Sequence, residues 1–244
     1  MKKQILCSLF ILLAFNDAAY SYYGRVKHNY VLLDEKELPQ TDLPKLSEFE
    51  QTYFEELNTA RTNPKLYASY IREFLERFKD DGMHFNEDGI LYRTNEGTAA
   101  VTEAIDFLEI QAPLKIKLTL SQGLTSAARD HVEDQGPKGQ VGHYSSDGSD
   151  PMTRAKKYGN WLHAFGENIS YTSQSARGHI IGLIVDDGVA NRGHRTSLYN
   201  PAFKKAGVSC GPHKIYKRLC VLDLSGGFTE PKKLPGGAIL LEEF

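Results

Sequence analysis

Two β-like runs near the C-terminal end constrain this fold most. Ala206-Gly207-Val208-Ser209-Cys210 and Leu219-Cys220-Val221-Leu222-Asp223-Leu224 are rich in strand-forming residues, and a turn containing Gly211-Pro212 joins them. Each run carries one cysteine. In an oxidising compartment a cross-strand Cys210–Cys220 disulfide is the natural reading. The alternative is a pair of free buried thiols. Two cysteines without a second cluster are a weak zinc signal.

The start of the chain supplies that compartment. Lys2-Lys3 is a basic segment, Ile5 to Phe15 is apolar, and Ala19-Tyr20-Ser21 places small residues at the positions of a cleavage site. This order reads as a signal peptide, with an apolar stretch too short to span a bilayer. The alternative is a buried N-terminal helix. Cys7 leaves with residues 1–21, together with Lys2, Lys3 and Asp17, so the formal charge of −2 falls by one unit. A balance so near neutral suggests neither nucleic acid nor an anionic membrane as the partner. No later apolar run is long enough to span a membrane, and the Ala238–Phe244 end is too short and acidic for an anchor signal.

Between these ends the periodicity is mainly helical. Ser47-Glu48-Phe49-Glu50 is a capping box that opens a helix through Tyr53, Leu57 and Ala60. Asn63-Pro64 ends it and starts a second, with its stripe at Leu66, Tyr67, Tyr70, Ile71, Phe74, Leu75 and Phe78. Residues 79–97 read as surface turns, since the spacing of a calcium loop is absent. Further helices run through Val101–Leu108, from Ser121 to Gly136-Pro137, and from Asp150-Pro151 to Tyr158-Gly159. Phe165–Thr172 is β-like. Ile180–Val185 is read as a buried helix, although the run alone also permits a strand. The expected organisation is a signal peptide over 1–21, an arm over 22–46, one domain over 47–230 and a coil-like tail over 231–244. A hydrophobic content of 41% suffices for an ordinary core.

The usual hydrolase, metalloprotease and nucleotide-binding motifs are missing. No serine has a local signature of activation. What remains is a set of histidines and carboxylates in loops. His143 follows Gly142, Glu167 lies in Phe165-Gly166-Glu167-Asn168-Ile169, and His194 follows Gly193. Glycine lets the backbone turn sharply or approach another element. Neutral imidazoles from separate loops can share one metal ion, and a nearby carboxylate can orient a ligating histidine or a bound water. His131, on the apolar face of its helix, reads as a satisfied core histidine. Asp186-Asp187 would sit at the negative end of the Ile180–Val185 helix, which calls for a cation such as Arg192, Arg195 or a metal; the other reading is a solvated turn. Asn168-Ile169-Ser170 is a glycosylation sequon, expected to be too enclosed for modification.

These motifs, in this order, resemble the CAP superfamily of cysteine-rich secretory proteins, insect-venom antigens and plant pathogenesis-related proteins. The resemblance covers residues 50–228. It rests on Leu57-Asn58-Thr59-Ala60-Arg61 with Pro64, Ala127-Ala128-Arg129-Asp130-His131, Gly166-Glu167-Asn168-Ile169, Gly193-His194-Arg195, Asn200-Pro201-Ala202-Phe203 and Gly207-Val208. The Gly-His-Arg segment is similar to bacterial and protist-type members. The resemblance implies an α+β fold, an α-β-α sandwich with a small antiparallel sheet between helices. It also implies a cleft of two histidines and two acids where a divalent cation, often zinc, can bind. His143, Glu167 and His194 take three of those positions. The family's remaining glutamate has no obvious match, and Asp186 or Asp187 stands in for it.

Three functions follow as expectations. The first is a secreted, non-enzymatic module with a metal-binding cleft and a surface for an extracellular lipid, peptide or protein ligand. The second is a metal-dependent peptidase with Glu167 as general base. The third is a structural extracellular protein without bound metal.

Overall fold

The computed structural model describes residues 45–79, 83–85, 91–171, 175–233 and 239–240. The expected signal segment, most of the arm and the turns at 80–82 and 86–89 lie outside these residues.

The capping box forms as its sequence requires. Glu50 N–H donates to Ser47 Oγ, and the Glu50 carboxylate accepts from the Ser47 amide at 2.8 Å, opening α1 (Glu48–Thr62). Asn63 caps α2 (Pro64–Leu75), whose first turn accommodates Pro64 because no donor is needed there. The turn-rich stretch that follows carries a short antiparallel ribbon, β1 (Met83–Phe85) with β2 (Leu91–Arg93), where surface turns alone were expected. Next come α3 (Thr98–Ile110), β3 (Thr119–Leu120), α4 (Gln122–Lys138), α5 (Pro151–Lys156) and β4 (Asn160–Tyr171). The apolar run at 180–185 is helical, within α6 (Ala176–Val185), and α7 (Gly193–Leu198) follows.

The cysteine-bearing runs are β5 (Lys205–His213) and β6 (Lys217–Thr229), with Cys210 directly opposite Cys220 and the two joined as a disulfide. Gly211 and Pro212 belong to β5; the turn is at 214–216. β3 pairs only with Lys205 and Ala206, so further along β5 is a sheet edge, where proline is tolerated. The tail is not all coil, since β7 (Lys232–Lys233) pairs with β8 (Ile239–Leu240).

The main sheet has the order β3-β5-β6-β4 and is antiparallel except for the two-residue β3. Alternation along β6 divides its side chains between two cores. Cys220, Leu222 and Leu224 face α1, α2, α3 and α6, while Leu219 and Val221 face α4. The result is a three-layer α-β-α sandwich, as the resemblance implied. α4 lies so close to β5 that a Cβ on Gly207 would stand 2.1 Å from the Thr125 amide nitrogen. No helix among the described residues is long and apolar enough to cross a membrane.

Candidate functional site

His143 is placed by the loop that leaves α4. His131 is fully buried on that helix and donates from Nε2 to the Gly142 carbonyl at 2.9 Å. Its Nδ1 then accepts from the Ser145 hydroxyl at 3.0 Å. Burial lowers the His131 pKa, consistent with the neutral ring this pattern needs. Gln135 Nε2 also donates to the Gly142 carbonyl, and the Gly142 amide donates to the Tyr171 hydroxyl. Gly142 itself has φ 102°, a conformation that favours glycine. His131 is thus the satisfied core histidine of the sequence reading, and it also fixes the site loop.

Adjacent residues of β4 connect the two histidine segments. Glu167 is fully buried on the α4–α5 side and accepts from His143 Nδ1 at 2.7 Å. Its second oxygen accepts from Arg154 of α5 at 2.5 Å. Asn168 points to the other side, where its amide donates to the His194 carbonyl at 3.2 Å. Burial alone would raise the Glu167 carboxyl, but the His143 hydrogen bond and the Arg154 charge outweigh it and hold it below its ordinary value.

His194, the second residue of α7, donates from Nδ1 to Asp186 Oδ1 at 2.6 Å. Asp186 Oδ2 accepts from the His194 and Arg195 amides at 2.9 and 3.3 Å. Asp186 caps α6 in a left-handed conformation, φ 56°. The carboxylate therefore turns away from the negative end of α6 and toward the positive start of α7. The exposed carbonyls at the end of α6 are met instead by Arg195, which donates to Ile184 and Val185, and by Arg192, which donates to Asp186. Asp187 does not join the cleft: it accepts from the Asn95 and Glu96 amides. The left-handed turn of the second motif falls on Arg192, φ 49°, rather than on Gly193.

The result is two carboxylate–imidazole couples, His143–Glu167 and His194–Asp186. Each imidazole is held at Nδ1, and neither Nε2 has a hydrogen-bond partner among the described residues. The side chains of His143 and His194 keep 14% and 12% of their surface exposed. Among the described residues no group of three or more His, Cys, Asp or Glu side chains is placed to hold a metal ion.

Two members of the site lie outside the sequence reading. Arg154 is almost fully buried, and besides Glu167 it donates to the His143 carbonyl at 2.9 Å and the Ser149 carbonyl at 3.1 Å. Asp223 of β6 sits directly opposite Glu167, fully buried, and the Glu167 carboxylate is its hydrogen-bonding neighbour, to which it can donate only when protonated.

A sheet sandwiched by helices, with two histidine segments tied to adjacent residues of one edge strand, defines a class of fold and site. Residues 111–223, which hold both couples, Arg154, Asp223 and the disulfide, match the model of the CAP, or cysteine-rich secretory protein, family. The match covers somewhat under half of the chain and marks this segment as similar to that family's domain. No curated protein gives a significant match. An outer surface protein from Borrelia burgdorferi aligns at 17% identity and TM-score 0.38, over 44% of this chain and 76% of its own. An extracellular SCP-domain protein from Bacillus anthracis str. Ames aligns at 20% identity and TM-score 0.37, over 51% of this chain and 38% of its own.

Proposed function

We propose that the chain is an exported CAP module that recognises an extracellular ligand without turning it over. In this reading His143 and His194 present their Nε2 atoms to a divalent cation such as zinc. The supporting observation is the pair of carboxylate–imidazole couples. A carboxylate on Nδ1 fixes the tautomer and ring orientation of a metal-ligating histidine. Glu167 and Asp186 act as orienting groups here, because both oxygens of each are already engaged. Two imidazoles without a third protein ligand fit a labile cation whose other positions fall to water or to a ligand. Such a cation supplies positive charge and open coordination positions that an anionic or carbonyl group of a ligand can occupy.

Calorimetric zinc titration tests this reading. Binding by the wild type and its loss in His143→Ala/His194→Ala are expected; equal affinity in the two proteins sinks the metal site. The peptidase reading finds no support in the geometry, since Glu167 is fully buried and is held by His143 and Arg154. Peptide cleavage by the wild type that exceeds that of folded Glu167→Gln would reinstate it.

A further inference from the structure

Four of the eight strongly exposed large apolar side chains among the described residues fall in one place. Val141 and Tyr144 are 58% and 65% exposed, and Ile215 and Tyr216 are 66% and 40% exposed. They come from two loops that are tied together. His213 Nε2 donates to the Gln140 carbonyl at 2.8 Å, and the Lys214 amide donates to the Gly136 carbonyl at 2.9 Å. Tyr171 links both loops, with its hydroxyl on the Gly142 amide and its ring 5.4 Å from His213 and 5.5 Å from Tyr216. The rings of His213 and Tyr216 stack at 5.2 Å, so the tip is held before anything docks on it. A preformed cluster of this kind needs a reason to stay uncovered.

Charge identifies the occupant. Lys214-Ile215-Tyr216-Lys217 are four consecutive exposed residues at the hairpin tip, two apolar between two basic. Neither lysine makes an ion pair among the described residues. The acids beside the partner loop are engaged within it: Asp134 is held by Lys138 and Ser146, and Asp147 accepts from the Ser149 amide. Aliphatic side chains flanked by tyrosines and unpaired lysines suit the boundary between headgroups and acyl chains, where tyrosine sits at headgroup level and lysine meets phosphate. The formal charge of the whole chain, −2, conceals this local excess.

We propose that the two-loop tip, Val141 and Tyr144 with Lys214–Lys217, is a docking surface for an anionic lipid bilayer. The inference builds on the reading of the chain as a recognition module, but it needs no bound cation. His143 lies between Val141 and Tyr144, so docking brings the cleft to the membrane surface.

Vesicle flotation of the purified chain tests it, with phosphatidylcholine alone and with phosphatidylserine added. Binding to the anionic vesicles is expected, weakening with salt. Lys214→Gln and Lys217→Gln are each expected to lower affinity about five-fold. Ile215→Asp combined with Val141→Ser abolishes binding and leaves thermal melting and zinc titration unchanged. No vesicle binding, or binding undiminished in the Ile215→Asp/Val141→Ser protein, overturns the proposal. A dimer that Ile215→Asp dissolves, without vesicle binding, overturns it in favour of a second copy. His143→Ala/His194→Ala is expected to keep vesicle binding, so failure of the metal site and failure of the docking surface are distinguishable.

Discussion

Glu167 and Asp223 face each other across the β4–β6 ladder, both fully buried, yet only Glu167 is met by cationic or imidazole donors, while Asp223 has the Glu167 carboxylate as its neighbour. His143 and Arg154 hold Glu167 as the charged form. Burial, and next the Glu167 charge, push the Asp223 carboxyl well above the usual carboxylate range. Folding therefore favours protonated Asp223. That contribution is complete below the ordinary carboxylate pKa of about 4, shrinks as pH rises, and is gone above the elevated native value. Asp223→Asn resembles the neutral form at every pH. It is expected to match the wild type in strong acid and to exceed it in stability at neutral pH, with the gap widening between. Urea unfolding over a pH series checks this; a gap independent of pH would refute it.

The Arg154–Glu167 pair is expected to behave as a unit. Both side chains are out of solvent, and Arg154 also gathers the 143–149 loop through the His143 and Ser149 carbonyls. Glu167→Gln leaves a buried guanidinium without its counter-charge and is expected to cost about 3–5 kcal/mol. Arg154→Met strands the carboxylate at similar cost. The double variant should lose less than the two losses combined, by about 0.5–3 kcal/mol, when unfolding free energies are compared in a double-mutant cycle. Strict additivity would show that the two side chains act independently.

Much of this arrangement was legible in the sequence because local rules determine it. Ser47 and Glu50 cap a helix whatever lies around them, and Asn63-Pro64 separates two helices for the same kind of reason. Cys210 and Cys220 pair because two apolar runs of that spacing meet as a hairpin. His143, Glu167 and His194 came from an ordered motif, and the structure chooses Asp186 over Asp187 because only its carboxylate turns toward the start of α7. Arg154 was not legible. It sits in a six-residue helix without useful periodicity, and its role depends on a strand that brings Glu167 beneath it. Asp223 did leave a signal: an acid at an inward position of an apolar strand is itself an anomaly.

Two glycines separate close packing from spare room. Gly207 lies under α4, and a Cβ there would meet Thr125 N at 2.1 Å and Leu124 C at 2.2 Å, both backbone atoms. Gly207→Ala must push the helix off the sheet, with an expected loss of about 1–3 kcal/mol or more. Gly182 is exposed within α6 and has nothing within 4 Å of an added Cβ. Gly182→Ala is expected to gain about 0.5–1 kcal/mol by removing backbone freedom from the unfolded chain. Chemical denaturation of both variants supplies the comparison, and losses of equal size would contradict it.

The sequon at Asn168 tests whether β4 is as enclosed as its packing indicates. Asn168 is fully buried, and its side-chain nitrogen, the atom a glycan would occupy, is engaged with the His194 carbonyl at 3.2 Å. Ser170, the other half of the sequon, bonds His179 on the buried side of α6 at 2.8 Å. A glycan on Asn168 would separate the strand from the second histidine segment, so the folded chain cannot carry one there. Protein exported from a glycosylating host is expected to carry no mass at Asn168 beyond the peptide, as read by intact-mass spectrometry before and after glycosidase. Asn168→Asp, which replaces the donor with a charged acceptor against a carbonyl, is expected to lower the unfolding midpoint and loosen His194. A wild-type chain that is glycosylated there and still folded would mean that this edge of the sheet opens far more than its burial suggests.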